Sequence, residues 1–159
     1  MRFSIGDVFE VPLDSSTTGY FQYVARDQTQ LSSHVVRVFK GKYAKDDPPD
    51  VTAIVESEVD FYAHVFLSIG VKLNFWRRVA KGAVIGDVDV MFRNSNDYGK
   101  NKRATSSDWY VWTIGEPFVH VGALSGVYRS SEIGIVVAPD SLVHRMRNGS
   151  YDFVSPEPE

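Results

Sequence analysis

Short-period alternation constrains this chain more than any other feature. Apolar residues recur at every second position in brief runs, and turn-forming residues separate the runs. In the first run Phe9, Val11 and Leu13 fall on one face of an extended segment, with Val8 and Glu10 on the other. The string SSTTG then predicts a turn, Gly19 being free to take a positive φ. GYFQYVAR predicts a second strand with aromatic rings on both faces, and HVVRVFK a third, rich in β-branched residues. The opening of the chain therefore predicts a hairpin whose chemistry is packing.

The pattern changes at KDDPPDVTAIVES. Pro48 and Pro49 break any strand, and Asp50 is placed to cap a short helix running through Ile54 and Val55. VDFYAHVFLSIGVKLNFW predicts a strand covered on both sides. Phe61, Ala63, Val65, Leu67 and Ile69 would share one face, with Tyr62, His64 and Phe66 on the other. VIGDVDVMFR, WYVWTIG and EIGIVVAP predict further strands, and the polar stretch from Asn94 to Asp108 predicts a loop. APDSLVHRMRNG predicts a helix with Asp140 at its N-cap. Leu142, Val143 and Met146 form its apolar stripe, Arg145 and Arg147 suit its C-terminal dipole, and Gly149 ends it. IGDV occurs at Ile5–Val8 and at Ile85–Val88, a match too short to establish a repeat.

The fold expected is α+β and predominantly β: a twisted antiparallel sheet or partly open barrel with one or two short helices. Residues 1–154 are expected to form a single β-rich domain, with 155–159 a loose tail. A chain of 159 residues buries about two thirds of its surface on folding, enough for a core without staples. There is no cysteine, which excludes disulfides, thiolate metal sites and a cysteine nucleophile. MRFSIGDVFEVP lacks an apolar run after its basic residue, and the most apolar window carries Asp60, His64 and Lys72. The expectation is a soluble cytoplasmic protein with no membrane partner. A net charge of −3 makes no general case for nucleic acid.

That charge is unevenly placed. Asp46, Asp47, Asp50, Glu56, Glu58 and Asp60 crowd a segment without Lys or Arg, flanked by Lys40, Lys42 and Lys45 before it and Arg77, Arg78 and Lys81 after it. Such a segment is either a solvated loop and helix face or a docking surface for a basic partner. Trp76 and Trp109 are the candidate aromatic anchors where they stay partly exposed, while Trp112 reads as core.

Catalytic motifs are missing. GALSG misplaces the serine of a nucleophile elbow, and neither phosphate-cradling glycine pattern occurs. His34, His64, His120 and His144 are far apart in sequence. A metal could still be gathered from His64 or His120 with Asp87 and Asp89, whose DVD spacing would put both carboxylates on one strand face. No catalytic residue, metal ligand or cofactor is assigned.

IGDVFEVPL followed by GYFQYV resembles the immunity protein 26 family of bacterial polymorphic toxin systems. The middle order DVTAIVESEVDF, apolar strand and FWRRVAKG is similar to that family too. So is the long C-terminal string from VWTIGEPF to NGSYDF, while the polar segment 94–108 departs from it. The resemblance implies a protein that binds a cognate toxin and occludes its active site without chemistry of its own. The same grouping takes in a small phosphotriesterase, which implies metal-assisted phosphotriester hydrolysis as the alternative. Under the first reading, the partner-binding residues are the six acids together with Trp76 and Trp109.

Overall fold

The structure is a computed structural model that describes residues 1–97 and 105–159. It is α+β and dominated by twisted antiparallel sheets that do not close into a barrel. The opening hairpin forms as expected: β1 (Val8–Pro12) pairs antiparallel with β2 (Thr17–Asp27), Phe9 lying opposite Phe21 and Glu10 opposite Tyr20. Its turn, however, is Leu13–Ser16, closed by the Leu13 N–H donating to Thr17 O at 2.9 Å and the Ser16 N–H to the Asp14 carboxylate at 2.8 Å. Gly19 lies inside β2. Its missing side chain matters for space, because a Cβ there would stand 2.9 Å from Met146 Cε.

The first sheet adds β3 (Ser33–Phe39), the short β4 (Tyr43–Ala44), β5 (Val59–Val65) and β6 (Arg77–Ala80). The strand order is β5-β3-β2-β1-β6, with β4 on β2. A second sheet contains β7 (Met91–Ser95), β9 (Trp109–Thr113), β10 (Val119–Gly122) and the two-residue β11 (Glu132–Ile133), in the order β10-β9-β7-β11. β8 (Thr105–Ser106) pairs in parallel with β12 (Glu157–Pro158). Within the segment 155–159, expected as a loose tail, Glu157 and Pro158 are thus backbone-paired. Such pairing leaves no hydrophobic pattern to read.

Among the described residues the helices are α1 (Val51–Val55), α2 (Leu67–Lys72) and α3 (Pro139–Asn148), one more than the upper expectation. The extra one is α2. The strand predicted across it ends at Val65, leaving Leu67 buried and Ile69 exposed. Leu67, Gly70 and Val71 sit at i, i+3 and i+4, so the helical period competes with the alternating one, and packing against Trp76 selects the helix.

Asp50 caps α1 as predicted, its carboxylate accepting from the Ala53 N–H at 3.2 Å. In α3 the N-cap is Ala138, and Asp140 lies in the first turn, because Pro139 takes the first helical position. Gly149 ends α3 with φ 85°. VIGDVDV is not a strand: 84–90 is an irregular strap, and β7 begins only at Met91. EIGIVVAP keeps only β11 and one bridge, between Val136 and His64.

The main core joins one face of the first sheet (Phe9, Phe21, Val36, Val38, Phe61, Val65) to Leu142, Val143 and Met146 of α3. No helix among the described residues is long and apolar enough to cross a membrane.

Candidate functional site

The opposite face of the first sheet carries the polar residues that shape the site. Gln22 of β2 and Arg37 of β3 lie opposite each other in register and are 0% and 7% exposed. Burying such groups is costly unless each finds partners. The strap supplies them. Gln22 Nε2 lies 3.2 Å from each of the carbonyl oxygens of Gly6, Ala83 and Val84, and Gln22 Oε1 accepts from Arg37 Nη2 at 2.7 Å. Arg37 Nη2 also donates to Ile85 O at 2.8 Å. The strap is held at its start by the Gly82 N–H donating to Asp7 and the Ala83 N–H to Gly6 O, at 3.1 Å each. Gln22→Leu would take this donor from the Ala83 and Val84 carbonyls and leave Arg37 with Ile85 O alone. It should cost about 2 kcal/mol and speed amide exchange across 83–86, read by urea unfolding and hydrogen exchange. Unchanged stability and exchange would refute this account of the strap.

Between the strap and α1 lies a cleft of about 410 Å³, lined by Val51, Thr52, Val55 and Glu56 on one side and Gly82–Gly86 on the other. Its walls are mostly apolar, and Val84 stands 80% exposed at its edge. Gly82 and Gly86, at φ 60° and 62°, bracket the three strap residues between them.

The six predicted acids do not form one uniform surface. Asp46 and Asp47 are exposed in the turn leading to α1, Asp50 caps that helix, and Glu56 lines the cleft. Glu58 instead pairs with Lys40 at 2.7 Å, and Asp60 lies with Lys40 and Lys42 around a separate small cavity. Four of the six are therefore on or next to α1, while the other two face local lysines.

Trp76 and Trp109 are not surface anchors. Each is 2% exposed. Trp76 donates from Nε1 to Leu67 O at 3.1 Å and packs edge-on against Phe21, while Trp109 donates to Ser106 O at 2.7 Å. Both indole N–H groups find internal partners, which lets the whole ring be buried. The exposed apolar group at the cleft is Val84, which sequence reading placed inside a strand.

A second buried polar centre joins the two sheets. Asp27, at the end of β2, accepts from His64 Nε2 at 2.8 Å, Trp112 Nε1 at 2.9 Å, the Gly115 N–H at 3.0 Å and the Thr29 N–H at 3.1 Å. Burial pushes the Asp27 pKa up, but the bonds from His64, Trp112 and Gly115 outweigh it and hold it below 3.8. Burial pushes His64 below 6.5 against the pull of Asp27, which favours the neutral imidazole. Both side chains are 0% exposed, which makes this a tie between sheets and denies a substrate any access. The sequence signal for such residues is a polar side chain at the buried parity of a strand, as at Gln22, Arg37 and Asp27.

No three His, Asp or Glu side chains among the described residues come together as a metal site. His34 accepts from the Leu67 N–H at 3.2 Å, His120 bonds Asp108 at 2.6 Å, and His144 bonds Ser150 O at 2.9 Å. Asp87 and Asp89 are exposed on the strap, outside any strand. The ligand convergence that metal-assisted hydrolysis requires is not formed by these residues. Part of the predicted loop at Asn94–Asp108, residues 98–104, lies outside the described residues; 105–106 form β8. Comparison of the chain with family models, with curated proteins and with solved structures found no match.

Proposed function

We propose that this chain is a binding protein of the immunity type, which neutralises a cognate toxin in the cytoplasm by covering the toxin's active site. The observation that carries the reading is the cleft between α1 and the strap, where Glu56 lines mostly apolar walls beside an exposed Val84 and the exposed Asp46 and Asp47 precede α1 in the chain. An apolar centre within a charged rim suits a protein partner. The acidic rim favours a basic face such as that of an enzyme acting on nucleic acid. The strap at the cleft is tied to the first sheet by Gln22 and Arg37, so little conformational freedom is lost on binding. The resemblance of IGDVFEVPL, FWRRVAKG and the C-terminal string to immunity protein 26 supports the same reading.

The test begins from the gene neighbourhood, where a toxin enzyme is expected to be encoded directly upstream of this chain. An equimolar amount of the protein should abolish that enzyme's activity. The triple variant Asp46→Lys, Asp47→Lys, Glu56→Lys should slow association about tenfold at low salt, with a smaller effect at physiological salt. Asp50 is left in place because it caps α1. Full toxin activity in the presence of excess protein would overturn the reading. An association rate unchanged by the triple variant would remove the acidic rim from it.

A further inference from the structure

Ala83, Val84 and Ile85 all turn their carbonyl oxygens toward Gln22 or Arg37. In a planar trans peptide the N–H points opposite to the C=O, so the N–H groups of Val84, Ile85 and Gly86 face away from the sheet. None of the three donates to an acceptor among the described residues. Behind them, Arg37 is almost wholly buried and bonds only neutral oxygens, its Nε lacking a partner. A carbonyl that accepts from a cation polarises its own peptide group. Arg37 therefore strengthens the Gly86 N–H as a donor, since that N–H belongs to the same peptide as Ile85 O.

The geometry points to the strap as a docking edge for an extended segment of the partner protein. That segment would place one or two of its backbone carbonyls on the row of N–H groups at 84–86. It would set a Lys or Arg against Glu56 and fit a small apolar side chain between Val51, Val55 and Ile85. This inference rests on the binding reading above and specifies what the cleft holds. The occupant follows from charge. A free carboxylate or phosphate would suit the N–H row but meets Glu56 in the same cleft and Asp87 at the strap's end. A neutral backbone carbonyl beside a cationic side chain satisfies both walls.

The probe is the blocked peptide acetyl-Ala-Lys-Val-Arg-Ala-amide, titrated into the ¹⁵N-labelled full chain. The Val84, Ile85 and Gly86 amide protons should move downfield together and saturate, with Kd on the order of 1 mM. Glu56→Gln should weaken binding about threefold. Val84→Pro removes one donor and should also weaken it about threefold, and Glu56→Gln keeps the test decisive if that proline disturbs the strap. No movement of these amides at about ten times that concentration would overturn the inference. So would equal shifts with acetyl-Ala-Glu-Val-Glu-Ala-amide or inorganic phosphate, which would mark an anion site. Toxin neutralisation that persists while the peptide leaves 84–86 unmoved sinks the docking edge alone. Loss of neutralisation in the wild-type chain sinks the binding reading itself.

Discussion

Asp27→Ala is expected to remove about 3–5 kcal/mol of stability, a large share of what a domain of this size has. The carboxylate is the common acceptor for His64 Nε2, Trp112 Nε1 and the backbone N–H groups of Gly115 and Thr29. Deleting it leaves several buried donors unpaired at once, each costing about 1–3 kcal/mol when isolated. The damage falls on the junction between the sheets, because His64 belongs to the first sheet and Trp112 to the second. Asp27→Asn should cost roughly half as much, since its carbonyl oxygen still accepts while its amide turns a donor toward donors. Urea unfolding monitored by tryptophan fluorescence measures both. A loss under about 1 kcal/mol for the alanine variant would show that the centre is not the tie described.

The same centre sets a pH dependence. His64 has its folded pKa below the ordinary 6.5, so between the two values only the unfolded chain takes up the proton. Its contribution is fully present above 6.5 and is lost as pH falls from there toward the folded value. Asp27, held below 3.8, adds a second loss on further acidification. Stability should thus decline in two stages on the acid side. A profile that stays flat as pH falls below 6.5 would contradict the lowered pKa of His64.

The second large effect is expected from Gly70→Ala. Alanine favours a helix over glycine by about 1 kcal/mol, so propensity alone predicts a gain in α2. Space decides otherwise. A Cβ on Gly70 would stand 2.0 Å from Trp76 Cε2 and Cζ2. That ring cannot move aside easily, being bonded to Leu67 O and packed edge-on against Phe21 at 5.1 Å between centroids. A net loss of about 2–3 kcal/mol is expected, with the urea midpoint falling at unchanged slope. A gain in stability would show that the helix can lift off the ring.

The outcome at Trp76 also shows why the candidate site was only partly legible. Sequence identifies a tryptophan as a large amphipathic side chain, and that chemistry serves a core as well as an interface. Only the position of Leu67 O decides that the Trp76 N–H is satisfied indoors. The acids were legible as a segment, yet Glu58 and Asp60 separate from Asp46, Asp47, Asp50 and Glu56 because α1 and β5 carry them toward different neighbours. The strap was misread as a strand because its Val and Ile alternate with polar residues as strand residues do. Its actual partners are side chains some fifty or sixty positions away, which no local period encodes.

The β-dominated class, the opening hairpin, the Asp50 cap and the Gly149 helix end are all readable from residue order. Each rests on a local rule: side-chain parity along a strand, a short carboxylate at a helix start, or a glycine where φ turns positive. Tertiary structure alone decided that Leu67–Lys72 is helical, that the tryptophans go inside, and that a strap and α1 enclose a cleft. Those outcomes depend on which distant groups meet, and the free energy of burying a polar atom is settled by the partner it finds there.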